Sequence, residues 1–377
     1  MWGGGGRVVV VLALALFLVA LPTPASADKK ACSSGNTFSP SLSFKLLYAL
    51  DGIHGIAVVI DYVFVPSIQQ LPGVLAVIPD TLVQLETTHS WGFLGLGSNG
   101  QPTTAWGLDG RFGEDTIIGN IDTGVSPDSA SFRDDGMPDV PSRWRGTCDN
   151  RGDSSFKCNM KLIGARLFNA GFQAQSFAAL LLGQGVPPAS PEDLSSPRDY
   201  VGHGTHTLST AGGAFVSGVG VLGRGVGKAA GGSPRARVAS YKACFEPGCS
   251  GVDVLKAIVT AVADGVDVLS LSLGSPASDY LNDPIAIGAF YAVQKGVTVV
   301  SAAGNSGPGP STVTNVAPWM LTVGASTTDR TFPAYVNFGG NVIEGQSVAN
   351  STLPLGQAYP IISGEQANAA NQPTANS

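Results

Sequence analysis

The chain has 377 residues, of which 44% are hydrophobic and only 13% charged, with a formal net charge of −6. That balance excludes wholesale disorder, because there is ample apolar surface to bury, and the lack of basic runs or basic–aromatic interleaving excludes a nucleic-acid partner. Fifty Gly and twenty-five Pro without a repeat call for many tight turns joining short elements.

Arg7 precedes an unbroken apolar run from Val8 to Leu21, followed by Pro22, Pro24 and the small triplet Ala25-Ser26-Ala27. This is the pattern of a secretory leader cleaved after Ala27. It implies a soluble, secreted, extracellular product with no membrane partner once the leader is gone. A membrane anchor is the alternative, but the run falls short of the roughly 20 residues a spanning helix needs. Residues 28–43 are polar, turn-rich and linker-like. From Phe44 to Leu85, short apolar runs (Leu46–Leu50, Ile53–Ile60, Val74–Ile78) alternate with turn residues, which predicts a small α+β unit.

Secretion also bears on the five cysteines, since an oxidising compartment favours disulfides over metal thiolates. Cys148 and Cys158 share one Gly/Asp/Ser-rich stretch, and Cys244 and Cys249 flank Phe-Glu-Pro-Gly. Two local bridges are the simplest pairing. Free buried thiols remain the alternative, because spacing does not determine connectivity. Cys32 is left over.

Beyond Trp106 the pattern changes to apolar strands followed by helical stretches. Strands are predicted at Thr116–Ile121, Val266–Leu273 and Val297–Ala302. A helix is predicted over Val252–Val262, with Ser250 as its N-cap and Asp264-Gly265 as its stop. Alternating buried strands and helices indicate an α/β fold with a mostly parallel sheet and helices on both faces. In such sheets the chemistry sits in the crevice at the carboxyl ends of the strands, where Asp122, Gly274 and Asn305 fall.

Asp122 ends its strand in Asp-Thr-Gly, where a sharp turn folds backbone donors around a carboxylate. Aspartic proteases use the same triplet in two copies, and no second Asp-Thr-Gly or Asp-Ser-Gly occurs here. A plain turn aspartate is the other reading. His203 stands in Gly-His-Gly-Thr-His-Thr. Glycines on both sides leave its imidazole room to meet a substrate as general base and then acid, and the small residues that follow let a helix pack closely on the sheet. A zinc site on His203 and His206 is disfavoured, because their spacing is one short of i, i+4 and no third ligand is evident. His206 reads instead as a packed or hydrogen-bonded helix residue. Asn305, in a Gly-rich bend, offers a side-chain N–H to a developing oxyanion, or else caps its own turn. No cofactor or metal is called for.

The segments around Asp122, His203 and Asn305, in that order, resemble the subtilase family of serine proteases, plant-type members in particular. Leu85–Leu96 is similar to that family's junction between propeptide and mature enzyme, and Cys158–Arg166, Ala263–Gly274 and Asn315–Trp319 are similar as well. The resemblance implies that Asp122 orients and supports His203, that His203 is the general base, and that Asn305 donates to the oxyanion. It further implies that Ser272, Leu273 and Gly274 pair with an extended polypeptide substrate, and that Ala302, Ala303 and Gly304 line the pocket for the residue before the cut. The implied organisation is a leader (1–27), a partial, inhibitor-like propeptide domain (28–86), the first portion of the catalytic domain (87–340) and the entry to a protease-associated insertion (341–377). The partners are then polypeptide substrates and the chain's own propeptide.

Two departures stand out. The propeptide-like part lacks the family's opening strand and helix, and the nucleophile motif Gly-Thr-Ser-Met occurs nowhere in the sequence. The expectation is a serine endopeptidase by descent, cut short before its nucleophile and inactive in this form. The alternatives are a secreted pseudo-protease that binds peptides along Ser272–Gly274 without cutting them and, more remotely, an aspartic hydrolase using Asp122. Asn350-Ser351-Thr352 is a glycosylation sequon.

Overall fold

The structure, a computed structural model, describes residues 7–14, 45–50, 55–61, 65–71, 74–79, 82–85, 94–98, 101–181, 189–221, 224–274, 278–327, 333–338 and 341–347. Cys32, the Glu86–Thr87 junction and Asn350 lie outside them. The chain falls into two compact units, residues 1–217 with 228–329, and residues 218–227 with 330–377.

The first unit opens with a small antiparallel sheet. Strands β1 (Arg7–Leu14), β2 (Lys45–Leu50), β3 (Gly55–Asp61) and β4 (Val74–Pro79) are ordered β2-β3-β1-β4, with the short helix α1 (Val65–Gln69) before β4. Val58 and Val77 are buried, with Ile56, Ile68 and Val74 packed against them. This matches the α+β unit expected from residues 44–85, with one addition. Arg7–Leu14, inside the run read as a leader, supplies the strand between β3 and β4. A run of Val and Leu satisfies the apolar stretch of a leader and the β-branched preference of a strand equally well.

The chain then continues through β5 (Leu82–Leu85), β6 (Ile117–Asp122), β7 (Leu162–Leu167), α2 (Ala170–Leu181), α3 (His203–Gly212), β8 (Arg237–Lys242), the short strands β9 (Cys244–Phe245) and β10 (Gly248–Ser250), α4 (Gly251–Asp264), β11 (Val268–Leu271), β12 (Leu273–Gly274), α5 (Pro284–Gln294), β13 (Thr298–Ala302) and β14 (Leu321–Val323). Six of these strands form the central sheet in the order β14-β13-β11-β6-β8-β7. Every neighbouring pair is parallel. A parallel sheet needs cover on both faces, and it has it. Ile117, Ile121, Leu269 and Val299 pack with Ile258, Ala261, Ile285 and Ala289 of α4 and α5. Ile118 and Val238 point the other way and pack with Leu208 of α3. Each of the Ile, Leu and Val side chains contributes about 1.5–3 kcal/mol on burial, so the two faces together hold the strand ends in register.

Helix α4 begins after Ser250 and ends at Gly265, whose φ of 95° lets its N–H reach the carbonyls of Ala261 and Val262. The single strand predicted over Val266–Leu273 is divided. β11 stays in the parallel sheet, and the chain changes partner at Ser272, so that β12 pairs antiparallel with β5. β5 pairs on its other side with β10. The division follows from geometry, since a strand that continued straight would leave β5 without a second ladder.

In the second unit, strands β15 (Pro333–Phe338) and β16 (Asn341–Gln346) form an antiparallel hairpin, with Tyr335 opposite Glu344.

Candidate active site

The last residue of β6 is Asp122, and its carboxylate is fully buried. One oxygen receives the backbone N–H of Thr123 at 2.7 Å, and the other receives the Thr207 hydroxyl at 2.9 Å. Thr207 in turn accepts an N–H from the Asn120 amide at 3.0 Å. These donors meet the hydrogen-bonding capacity of a carboxylate that burial has removed from water. The first residue of α3 is His203, and its Nδ1 lies 2.7 Å from the same Asp122 oxygen that Thr123 holds. An Nδ1–H directed at that oxygen fixes the orientation of the ring and its tautomer.

The two glycines around His203 also shape the backbone there. Gly202 takes φ 95°, a left-handed turn into the helix. At Gly204 a Cβ would lie 2.3 Å from the Gly124 carbonyl oxygen, so only glycine lets the first turn of α3 close onto the end of β6. Further along, a Cβ at Gly212 would lie 2.6 Å from a Val238 methyl, the close helix-on-sheet packing expected of the small residues there. His206, expected to be packed or hydrogen-bonded, gives its backbone N–H to the Gly202 carbonyl. It is exposed, and partial desolvation together with the neighbouring His203 keeps its imidazole below the ordinary range, against the opposing pull of Asp122. Among the described residues no group of three or more His, Cys, Asp or Glu side chains is placed to hold a metal.

A cavity of about 220 Å³ opens at the carboxyl end of the sheet. Thr207 and Thr210 of α3 form one wall, Ser272 another, and Ala302, Ala303, Gly304 and Asn305 a third. Asn305 is exposed at its rim, after the end of β13. The structure therefore joins Asp122 and His203 directly and gathers Asn305, Ser272 and Ala302–Gly304 around one hollow beside them. Leu273 and Gly274 are buried in β12 and carry a chain segment already, because Leu273 is opposite Leu85 and Gly274 opposite Gln84. On the far side Cys249 is opposite Val83 and Ser250 opposite Leu82. Residues 82–85 thus run as the middle strand of a three-stranded antiparallel ladder, the geometry in which an extended peptide is held by its backbone.

Both expected bridges are present, Cys148–Cys158 with Cα atoms 6.0 Å apart and Cys244–Cys249 with 4.1 Å. The second closes the β9–β10 pair that carries one side of the ladder.

A family model described as "Subtilase family" matches residues 113–372, which include Asp122, His203 and Asn305. The chain belongs to the subtilase family. This subtilase chain is 49% identical over 325 residues to "Subtilisin-like protease SBT5.3" of Arabidopsis thaliana, covering 85% of this chain and 41% of that protein. It is 44% identical over 314 residues to "CO(2)-response secreted protease", also of Arabidopsis thaliana, covering 81% and 38%. Among solved structures, fervidolysin from Fervidobacterium pennivorans, described as a keratinolytic enzyme related to subtilisin, aligns with a TM-score of 0.46 at 15% identity over 92% of this chain and 46% of its own. The chain spans about two fifths of the length of the curated relatives it matches.

Three contacts of this subtilase site carry no signal in the sequence: the Asn120 amide on Thr207, the Thr207 hydroxyl on Asp122 and the Thr123 hydroxyl on Asp199. Each of these donors lies in or beside a recognisable motif, yet nothing in the local pattern distinguishes a side chain that reaches a neighbour some 80 positions away.

Proposed function

We propose that the protein is a secreted serine endopeptidase that hydrolyses peptide bonds by Asp–His–Ser chemistry. In this reading Asp122 orients His203 and stabilises the imidazolium that forms when His203 takes the proton of a serine nucleophile. Asn305 donates to the oxyanion, Ser272–Gly274 hold the substrate backbone, and Ala302–Gly304 border the pocket for the residue before the cut. The observation that carries the reading is the 2.7 Å contact between His203 Nδ1 and a fully buried Asp122 at the carboxyl edge of a parallel sheet. The ladder formed by residues 82–85 supports it, and it favours residues 28–86 as a propeptide seated where substrate lies. Residues 1–27 act as the leader, and Asn350 is the glycosylation site of the secreted product.

The Gly-Thr-Ser-Met string does not occur in these 377 residues. By itself, then, the chain holds the base, its carboxylate and one oxyanion donor, and does not cut. A peptide-binding pseudo-protease shares the ladder, but it gives no reason for the Asp122–His203 contact.

The test is expression of the 377 residues in a secretory host free of related proteases, followed by N-terminal sequencing and a casein assay. The product is expected to begin at Asp28, to keep residues 28–86 and to leave casein intact. A fusion that appends the Gly-Thr-Ser-Met portion of a relative is expected to hydrolyse casein, and His203→Ala in that fusion to abolish the activity. A fusion whose activity survives His203→Ala would overturn the reading, as would an unfused chain that begins at Thr87.

A further inference from the structure

The N-terminal turn of α3 has an unusual start. Its N-cap is Gly202, which has no side chain to satisfy the free N–H groups of the first turn. Asp199, four residues before His203 and only 8% exposed, takes over that role. One of its oxygens accepts the N–H of Val201 at 3.1 Å and of Gly202 at 2.7 Å. The other accepts the N–H of Thr205 at 2.8 Å and the Thr205 hydroxyl at 2.5 Å. These contacts fix the residues on both sides of His203.

A second route leads from Asp199 to the partner of the histidine. The Thr123 hydroxyl donates to Asp199 at 2.9 Å and accepts the N–H of Gly204 at 2.7 Å. Thr123 also gives its own backbone N–H to Asp122. A single hydroxyl therefore ties the carboxylate of Asp199, the helix turn that carries His203 and the backbone that grips Asp122. We infer that Asp199 is a positioning residue for the Asp122–His203 pair, acting through Thr123 and the first turn of α3 and touching neither the imidazole nor a substrate. The inference rests on the proposed role of that pair.

Charge favours the same arrangement. An anion at a helix N-terminus is stabilised by the partial positive charge there. Burial would raise the Asp199 carboxyl, but hydrogen bonds from Thr205, Gly202 and Thr123 outweigh burial and keep it below the ordinary carboxylate range, so it remains an acceptor.

The experiment needs no nucleophile. The full 377-residue chain is labelled with ¹⁵N-histidine, and the four histidines are followed by NMR, with Asp122→Asn used to assign the low-field Nδ1 proton of His203. Thr123→Val and Asp199→Asn are expected to remove that low-field proton and to lower the His203 titration midpoint by about one unit, a tenfold change in its protonation constant. Thr123→Ser is expected to restore both. His206, on the same helix, reports whether α3 is still formed. Should either variant fail to fold, Thr205→Val removes the hydroxyl contact to Asp199, together with the one that Thr205 accepts from the Ser126 N–H, and keeps the backbone contact; a smaller shift of the same sign is expected.

A low-field proton and midpoint that stay at wild-type values in Thr123→Val and Thr205→Val, while the melting temperature falls, would mean that Asp199 is structural only and would overturn the inference. Absence of the low-field proton from the wild-type chain would instead strike at the proposed function, so the two failures are distinguishable.

Discussion

Helix α2 is held against α4 and the β9–β10 pair through one carboxylate on α4. Asp253 is the third residue of α4, is fully buried, and accepts the backbone N–H of Gly171 at 2.9 Å and of Phe172 at 2.8 Å. Those are two of the free donors of the first turn of α2. Each hydrogen bond to a charged acceptor contributes about 1.5–3 kcal/mol, and Asp253→Ala leaves both donors without that acceptor in a buried place. Allowing for partial relaxation, the expected loss is about 3–4 kcal/mol, or about 5 °C in melting temperature for a unit of this size. The loss should also reach the ladder around residues 82–85. A Cβ on Gly171 would lie 2.1 Å from the Ser250 hydroxyl, and Phe172 packs on Phe245 with ring centroids 4.7 Å apart. Once α2 loosens, β9 and β10 lose their backing, and β10 is one wall of the ladder around residues 82–85. Two assays follow, thermal unfolding and proteolytic release of the 82–85 segment. Asp253→Asn, which keeps one acceptor, should fall between wild type and Ala. A melting shift under about 2 °C for Ala, or an Asn variant as damaged as Ala, would refute the argument.

Lys161 should make stability depend on pH. Burial, with Arg237 beside it, lowers its ammonium group to about 7, while among the described residues its Nζ donates to the carbonyls of Pro234 and Ala236. The unfolded chain keeps that proton to its ordinary value of 10.5. Between the two values the unfolded state binds more protons, so stability rises with pH by at most about 1.4 kcal/mol per unit and is flat below the lower value. Urea unfolding at pH 7 and pH 9 should show a gain of about 2 kcal/mol in wild type that Lys161→Met lacks. Equal gains would refute it. Removal of residues 1–27 should weaken the small sheet, because β1 stands between β3 and β4. A chain starting at Asp28 should be cut within residues 45–79 under limited proteolysis sooner than one that keeps its first 27 residues. Equal resistance would mean that β1 contributes nothing.

The readable part of this molecule is the part in which cause and effect are near in sequence. Strand β6 and helix α4 were legible because apolar periodicity and a glycine stop act within a dozen residues, and the outer limits of α4 shifted by only a residue or two. Asp122 and His203 were legible because each sits in a short string of small residues that only a crowded strand end or helix start requires. Gly204 shows why, since its missing side chain is the space in which α3 meets β6. The division of the Val266–Leu273 strand was not legible, since it depends on β5, almost two hundred residues earlier, arriving to pair with Leu273 and Gly274.

The carboxylates make the same point. Asp122, Asp199 and Asp253 are all buried, and each receives at least two hydrogen bonds that fix a helix or a loop. Only Asp122 announces itself, because Thr123, one of its donors, is adjacent and the triplet is recognisable. The donors to Asp253 lie 81 and 82 positions away, and the Thr123 hydroxyl reaches Asp199 across 76. A buried charge must be met by donors wherever they come from. An aspartate in an ordinary polar setting, such as Pro-Arg-Asp-Tyr, can therefore matter as much to the placement of His203 as the one in the motif, and only the fold reveals which aspartate that is.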